Sequence, residues 1–179
     1  LPDGPARLAA AFRDRFDRLD LLVNGAAVFD AAPLAETDAA LFDSQMDVNA
    51  RAPLLLVKAL LPLLRRAGGS VVNVADVGGG LVAWRGFAAY AASKAALVRL
   101  TECLALELAP RVRVNAIAPG TVLFPESYPP SRRRALAAGV LVLFGQGLPR
   151  SVRTGAQLEE PLADKVRSAL AASVADAAP

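Results

Sequence analysis

The stretch SVVNVADVGGG, residues 70–80, decides the reading of the fold. It is β-branched and apolar and ends in glycines, as a strand running into a tight turn does. Before it, a helical stretch is stopped by Gly68 and Gly69. After it, a helical pattern runs from about Phe87 to Leu108. One strand therefore stands between two helices, and the alternation continues outward on both sides.

Upstream, ARLAAAFRDRF (residues 6–16) places Leu8, Phe12 and Phe16 at i, i+4 and i+8, an amphipathic helix. LDLLVNGA (19–26) follows, with Leu21, Leu22 and Val23 as a short buried parallel strand ending in a small-residue turn. Thr37 is expected to cap the next helix, which is kinked before Pro53 and continues to about Arg66. Downstream, VRVNAIAPGT (112–121) reads as a third strand, broken at Pro119-Gly120. Helix, strand, helix, strand, helix, strand predicts an α/β fold, a doubly wound, Rossmann-like parallel sheet with helices on both faces. Beyond Pro130 the pattern weakens. Residues 131–148 suit a helix followed by an apolar turn or short strand, and Leu162 to Val174 suit one more helix.

Composition narrows the chemistry. Of 179 residues, 54% are hydrophobic, enough for a domain with its own core. No apolar run reaches the ~18–20 residues of a membrane span, so no membrane partner is expected. The absence of histidine removes Ser-His-Asp and Cys-His catalysis and histidine metal sites. A lone cysteine, Cys103, excludes an internal disulfide and a cysteine metal cluster, which suits a reducing, cytoplasmic setting; it is expected as a small buried residue. No metal is expected. Arg132, Arg133 and Arg134 lack interleaved aromatic rings and read as a solvated helix face, so no nucleic-acid partner is expected either. Proton chemistry falls to Tyr, Lys, Asp or Glu.

In open parallel sheets, ligands bind beyond the carboxyl ends of the strands. Asn24 to Phe29, Asp76, and Pro119 to Glu126 follow the three strands. Tyr90 and Lys94, one of two tyrosines and one of three lysines, begin the helix after the second strand at i, i+4 on one face. A neighbouring ammonium favours the phenolate and would lower the Tyr90 pKa.

These residues resemble the short-chain dehydrogenase/reductase family. The resemblance rests on VNGA at 23–26, Asn49 in DVNARAP, VVNVAD at 71–76, Tyr90-Ala91-Ala92-Ser93-Lys94, and VRVNAIAPG at 112–120, in matching order across about residues 6–130. It implies NAD(P)-dependent hydride transfer. Tyr90 would be the acid–base residue, and Lys94 would hold the nicotinamide ribose and lower the Tyr90 pKa. Asn49 would help order a proton-relay water. Asn24, Gly25 and Ala26 would line the cofactor, with Pro119, Gly120, Thr121 and Val122 near the nicotinamide.

Asp76 stands where the family usually has Ser. Together with VLFPE (122–126) and Phe29, it is similar to the pteridine reductase branch. That likeness implies reduction of a pterin or folate-type ring by NADPH, with Asp76 and Tyr90 delivering the proton and Phe29 stacking on the substrate. Other readings stay open: Asp76 as a turn residue, Phe29 as core, Asn49 as a residue that caps or bends the helix, Trp84 as a cover over the site or as a surface or core residue, Glu126 as a substrate contact or a loop charge. The reductase could instead act on a keto group, or the chain could be a non-catalytic remnant that keeps the fold core and an oligomer interface.

The family's glycine-rich first strand–loop–helix unit is absent from the chain, so the Rossmann-like sheet is expected to be incomplete, with an open edge and no pyrophosphate cradle. The chain as given is accordingly expected to bind NADPH weakly or not at all, and its opening on Leu1 suggests a fragment. The organisation expected is a partial reductase domain at 1–130 and a divergent C-terminal segment at 131–179, disorder in part of it being an open alternative. The two long helices are expected to join subunits of a homo-oligomer.

Overall fold

A computed structural model describes residues 3–77, 83–119, 141–145 and 151–153. Helix α1 (Gly4–Arg13) leads to strand β1 (Leu21–Asn24). A short 3-10 turn (Leu34–Glu36) precedes α2 (Ala39–Met46), which passes through a π-helical turn (Asp47–Arg51) into α3 (Ala52–Ala67). Then come β2 (Ser70–Val74), α4 (Ala88–Leu108) and β3 (Arg113–Pro119), and after them β4 (Leu141–Gly145) and β5 (Ser151–Arg153).

The five strands form one sheet in the order β1-β2-β3-β4-β5. The first three are parallel, in the register Leu22–Val71–Val114 and Asn24–Asn73–Ala116. This is the Rossmann-like α/β arrangement the alternation predicts. β4 and β5 then add an antiparallel pair, so the segment beginning at residue 131 contributes to the same sheet, and the apolar run at 141–145 is a strand. The expected helices at 131–140 and 162–174, with Arg132 to Arg134, lie outside the described residues.

The sheet's burial alternates with its pleat. Asn24, Val71, Asn73, Val114, Ala116 and Ala118 are buried, whereas Leu21 and Val23 on β1 are 37% and 55% exposed. Val71 and Val114 pack with α1, α3 and α4 around Leu64 and Val112, joined by Ala9, Val57, Leu60 and Leu108, while Ala116 and Ala118 form a second cluster with Ala75 and Val98. Helices were expected on both faces; among the described residues they cover one. β1 was expected to be buried; among the described residues it is an edge strand, because β2 is its one pairing partner.

Local chemistry explains the joints and corrects three expectations. Asp38, not Thr37, caps α2, its carboxylate accepting from Leu41 N at 2.8 Å; the Thr37 hydroxyl instead donates to Pro33 O at 3.0 Å. In α1, Ala9 is the buried residue, while Leu8 and Phe16 are 58% and 55% exposed; the helix ends at Arg13, so Phe16 lies beyond it. Cys103 is exposed, on the solvent side of α4. The kink before Pro53 takes the form of the π-helical turn, after which Pro53 sits in the first turn of α3. Gly68, with φ 62°, ends α3 in the left-handed conformation. Gly69 has another duty: a Cβ there would stand 2.5 Å from Leu19 O, so only glycine lets this turn pass under β1.

Candidate active site

The carboxyl ends of β1 and β2 and the first turn of α4 converge. Tyr90 and Lys94, one turn apart, are both buried. The Tyr90 hydroxyl donates to Asp76 Oδ2 at 3.1 Å. Burial, then the Asp76 charge, then this hydrogen bond together push the phenol well above its ordinary pKa, since each disfavours phenolate. That corrects the expectation that Lys94 lowers it. Lys94 Nζ donates to Val74 O at 2.8 Å and lies 5.8 Å from the Tyr90 ring centroid. Burial lowers the Lys94 pKa, with Asp76 opposing.

Asn49 sits in the π-helical turn and is fully buried. Its Oδ1 accepts from Val28 N at 2.9 Å, and its Nδ2 faces Val28 O at 3.0 Å, Ser93 Oγ at 2.9 Å and Gln45 Oε1 at 3.2 Å. The Asn49 side chain is thus committed to protein partners. It clamps the loop after β1 to α4, and Ser93 passes the contact on by donating to Tyr90 O at 2.7 Å.

Asn24, expected along the cofactor, turns inward. Its Nδ2 donates to Asn73 Oδ1 at 2.8 Å, Asn73 Nδ2 donates to Thr101 Oγ1 at 2.8 Å, and Thr101 donates to Leu97 O at 2.8 Å. This buried polar chain ties β1, β2 and α4 together. Gly25 and Ala26 are exposed in the turn beyond it. A Cβ on Gly25 would meet only Val74 Cγ2, at 3.8 Å, so a flat group has room against that backbone. The residues present thus fit the nicotinamide end of a dinucleotide: open backbone at Gly25 and Ala26, and a buried ammonium at Lys94. Pro119 closes β3, while Gly120, Thr121, Val122 and Glu126 lie outside the described residues.

Phe29 is 56% exposed and is not core. It stacks on Phe87, with centroids 4.6 Å apart, and meets Tyr90 edge-on at 4.6 Å. Trp84 lies parallel to the Tyr90 ring at 6.4 Å. An aromatic cluster therefore flanks the Asp76–Tyr90 pair. The sequence reading missed Gln45, Asn73, Phe87, Ser93 and Thr101. The one visible mark was Asn73, an amide inside an otherwise apolar strand; Ser93 and Thr101 sit two turns apart on one helix face, a spacing shared by ordinary core positions. Among the described residues, no group of three or more His, Cys, Asp or Glu could hold a metal, and no helix is long and apolar enough to cross a membrane.

Comparison with known proteins agrees with the fold. A family model described as enoyl-(acyl carrier protein) reductase matches residues 3–140. The trans-4-hydroxycyclohexanecarboxylate dehydrogenase of Sinomonas cyclohexanicum is 35% identical over 134 residues, 74% of this chain and 48% of that protein. The human dehydrogenase/reductase SDR family member 4 is 41% identical over 120 residues, 65% of this chain and 42% of its own. Among solved structures, the Pseudomonas aeruginosa RhlG/NADP active-site complex superimposes with a TM-score of 0.63 at 33% identity, covering 76% of this chain and 54% of that one. The chain spans under half the length of these curated relatives.

Proposed function

Because the chain belongs to the short-chain dehydrogenase/reductase family, we propose that it carries the proton-delivering half of an NADPH-dependent reductase acting on a flat pterin or folate-type ring. The observation that carries the reading is the Tyr90–Asp76 hydrogen bond beside the Phe29 and Trp84 rings.

Reduction needs a proton donor, and Tyr90 is the hydroxyl placed to serve as one. The dinucleotide, when bound, supplies the hydride to a ring carbon. Tyr90 gives its proton to the adjacent ring nitrogen, and Asp76 stands ready to return one from solvent. Lys94, Gly25 and Ala26 are the residues that would hold the nicotinamide end. Phe29, 56% exposed beside Tyr90, is the ring that would stack on the heterocycle.

The test is NADPH consumption by the purified chain with a 7,8-dihydropterin and, separately, a cyclic ketone. With NADPH supplied at millimolar concentration to offset the weak binding expected of this chain, turnover of the pterin, lost in Tyr90→Phe and in Asp76→Asn, is expected. Turnover of the ketone alone, indifferent to Asp76→Asn, would overturn the pterin reading. That second reading, a carbonyl or alcohol substrate, is favoured by the relative named for a hydroxycyclohexane acid. Failure to bind NADPH at millimolar concentration would favour the non-catalytic alternative.

The proposal extends to assembly and location. Ala50, Leu54, Ala96 and Leu100 line a groove between α3 and α4, and this face is offered as the contact with a second copy, in a cytoplasmic protein. Sedimentation of Leu100→Glu against the parent checks it, a monomeric parent being the adverse result.

A further inference from the structure

We propose that Gln45 is a positioning residue that holds the Phe29 ring against Tyr90. The substrate role of Phe29 rests on the reading above; the placement of its ring does not.

Gln45 is fully buried in α2, yet its amide reaches two distant groups. Nε2 donates to Asp30 Oδ2 at 3.2 Å and approaches Asp30 O at 3.5 Å, and Oε1 accepts from Asn49 at 3.2 Å. The amide can face only one way, because turning it over would set its oxygen against the two Asp30 oxygens and its nitrogen against the Asn49 nitrogen. The loop after β1 is held at every second residue. Asn49 takes both backbone groups of Val28, Gln45 takes Asp30, and Ala32 N donates to Gly86 O at 2.8 Å. Phe29 lies between two of these anchors and enters the aromatic cluster. Asp30 is exposed, so Gln45 is the buried half of one of the two anchors that flank Phe29. A space-filling role would ask only for volume, and a buried amide bonded at both ends does more than fill.

Trp84, the chain's single tryptophan, stands edge-on to Phe29 at 6.3 Å and reports on the cluster without substrate or cofactor. Gln45→Glu sets two carboxylates face to face and is expected to raise acrylamide quenching of Trp84 by about two-fold as the loop is released. Asp30→Asn alone is expected to be silent. Combined with Gln45→Glu it recreates an amide–carboxylate bond of reversed polarity and returns quenching to the parental value. Gln45→Met keeps the volume and loses both bonds; it serves if Gln45→Glu does not fold, and it too should raise quenching. Unchanged quenching in Gln45→Met or Gln45→Glu, or a double variant that stays loosened, would overturn the proposal. Because no turnover is read, that failure leaves the reductase reading standing.

Discussion

Tyr90 directs its hydroxyl at the Asp76 carboxylate, 3.1 Å away, while the neighbouring ammonium of Lys94 is bonded to the Val74 carbonyl. The tyrosine–lysine spacing thus delivers two groups to the end of β2, and the carboxylate claims the phenolic proton.

Spectrophotometric titration tests this directly. In a Tyr128→Phe background, Tyr90 should stay protonated through the ordinary phenol range near pH ~10. Asp76→Asn removes the charge and should bring the transition down, short of the ordinary value because burial remains. The sign for stability follows. A raised folded value leaves stability intact below pH ~10, and it is lost as pH climbs from there toward the folded value. Lys94, depressed by burial, runs the other way: its penalty is present at neutral pH and fades as pH rises toward ~10.5. Asp76→Asn should therefore weaken the alkaline loss attributable to Tyr90.

At Asn49 the isosteric change should be the damaging one. Asn49→Asp replaces a donor with an oxygen facing Val28 O, Gln45 Oε1 and Ser93 Oγ. Urea unfolding should show a loss of about 3 kcal/mol or more. Asn49→Ser, which keeps a small donor, should cost less.

The polar chain through Asn73 predicts non-additivity. Asn73→Val strands the buried Asn24 amide and removes a donor to Thr101, at a cost of about 1–3 kcal/mol. Adding Asn24→Val removes the stranded group and should recover part of that loss in a double-mutant unfolding cycle.

The two adjacent glycines should rank against the usual intuition. Gly68→Ala forces a left-handed alanine and should cost about 1 kcal/mol. Gly69→Ala has an ordinary φ but drives a methyl into Leu19 O and Asp20 O, backbone atoms that cannot swing aside. Thermal melts should place it at or beyond the ~3 kcal/mol end of overpacking costs.

The alternation of helix and strand, the parallel register and the grouping of Asp76, Tyr90 and Lys94 were legible because each rests on local pattern or short spacing. Cys103 and Phe29 were misread as core or open to core, since apolar character does not say which face a neighbour covers. Thr37 lost its cap to Asp38 because two adjacent residues both suited the role and geometry chose between them. Gln45 gave no mark, because its partners come from positions 15 residues back and four ahead, and a glutamine in a helix ordinarily points to water.

The π-helical turn at Asp47–Arg51 has a consequence for insertions and deletions. Such a turn is one residue more than the α-helical path needs, and one residue turns an α-helix by about 100°. Deleting a residue here would leave a plausible, unbroken helix by every propensity measure. It would also rotate all of α2 by about that angle relative to α3, carrying Gln45 away from Asp30. The phase between the two helices is thus encoded in a count of residues rather than in any one side chain, and a length change would erase it where most substitutions would not.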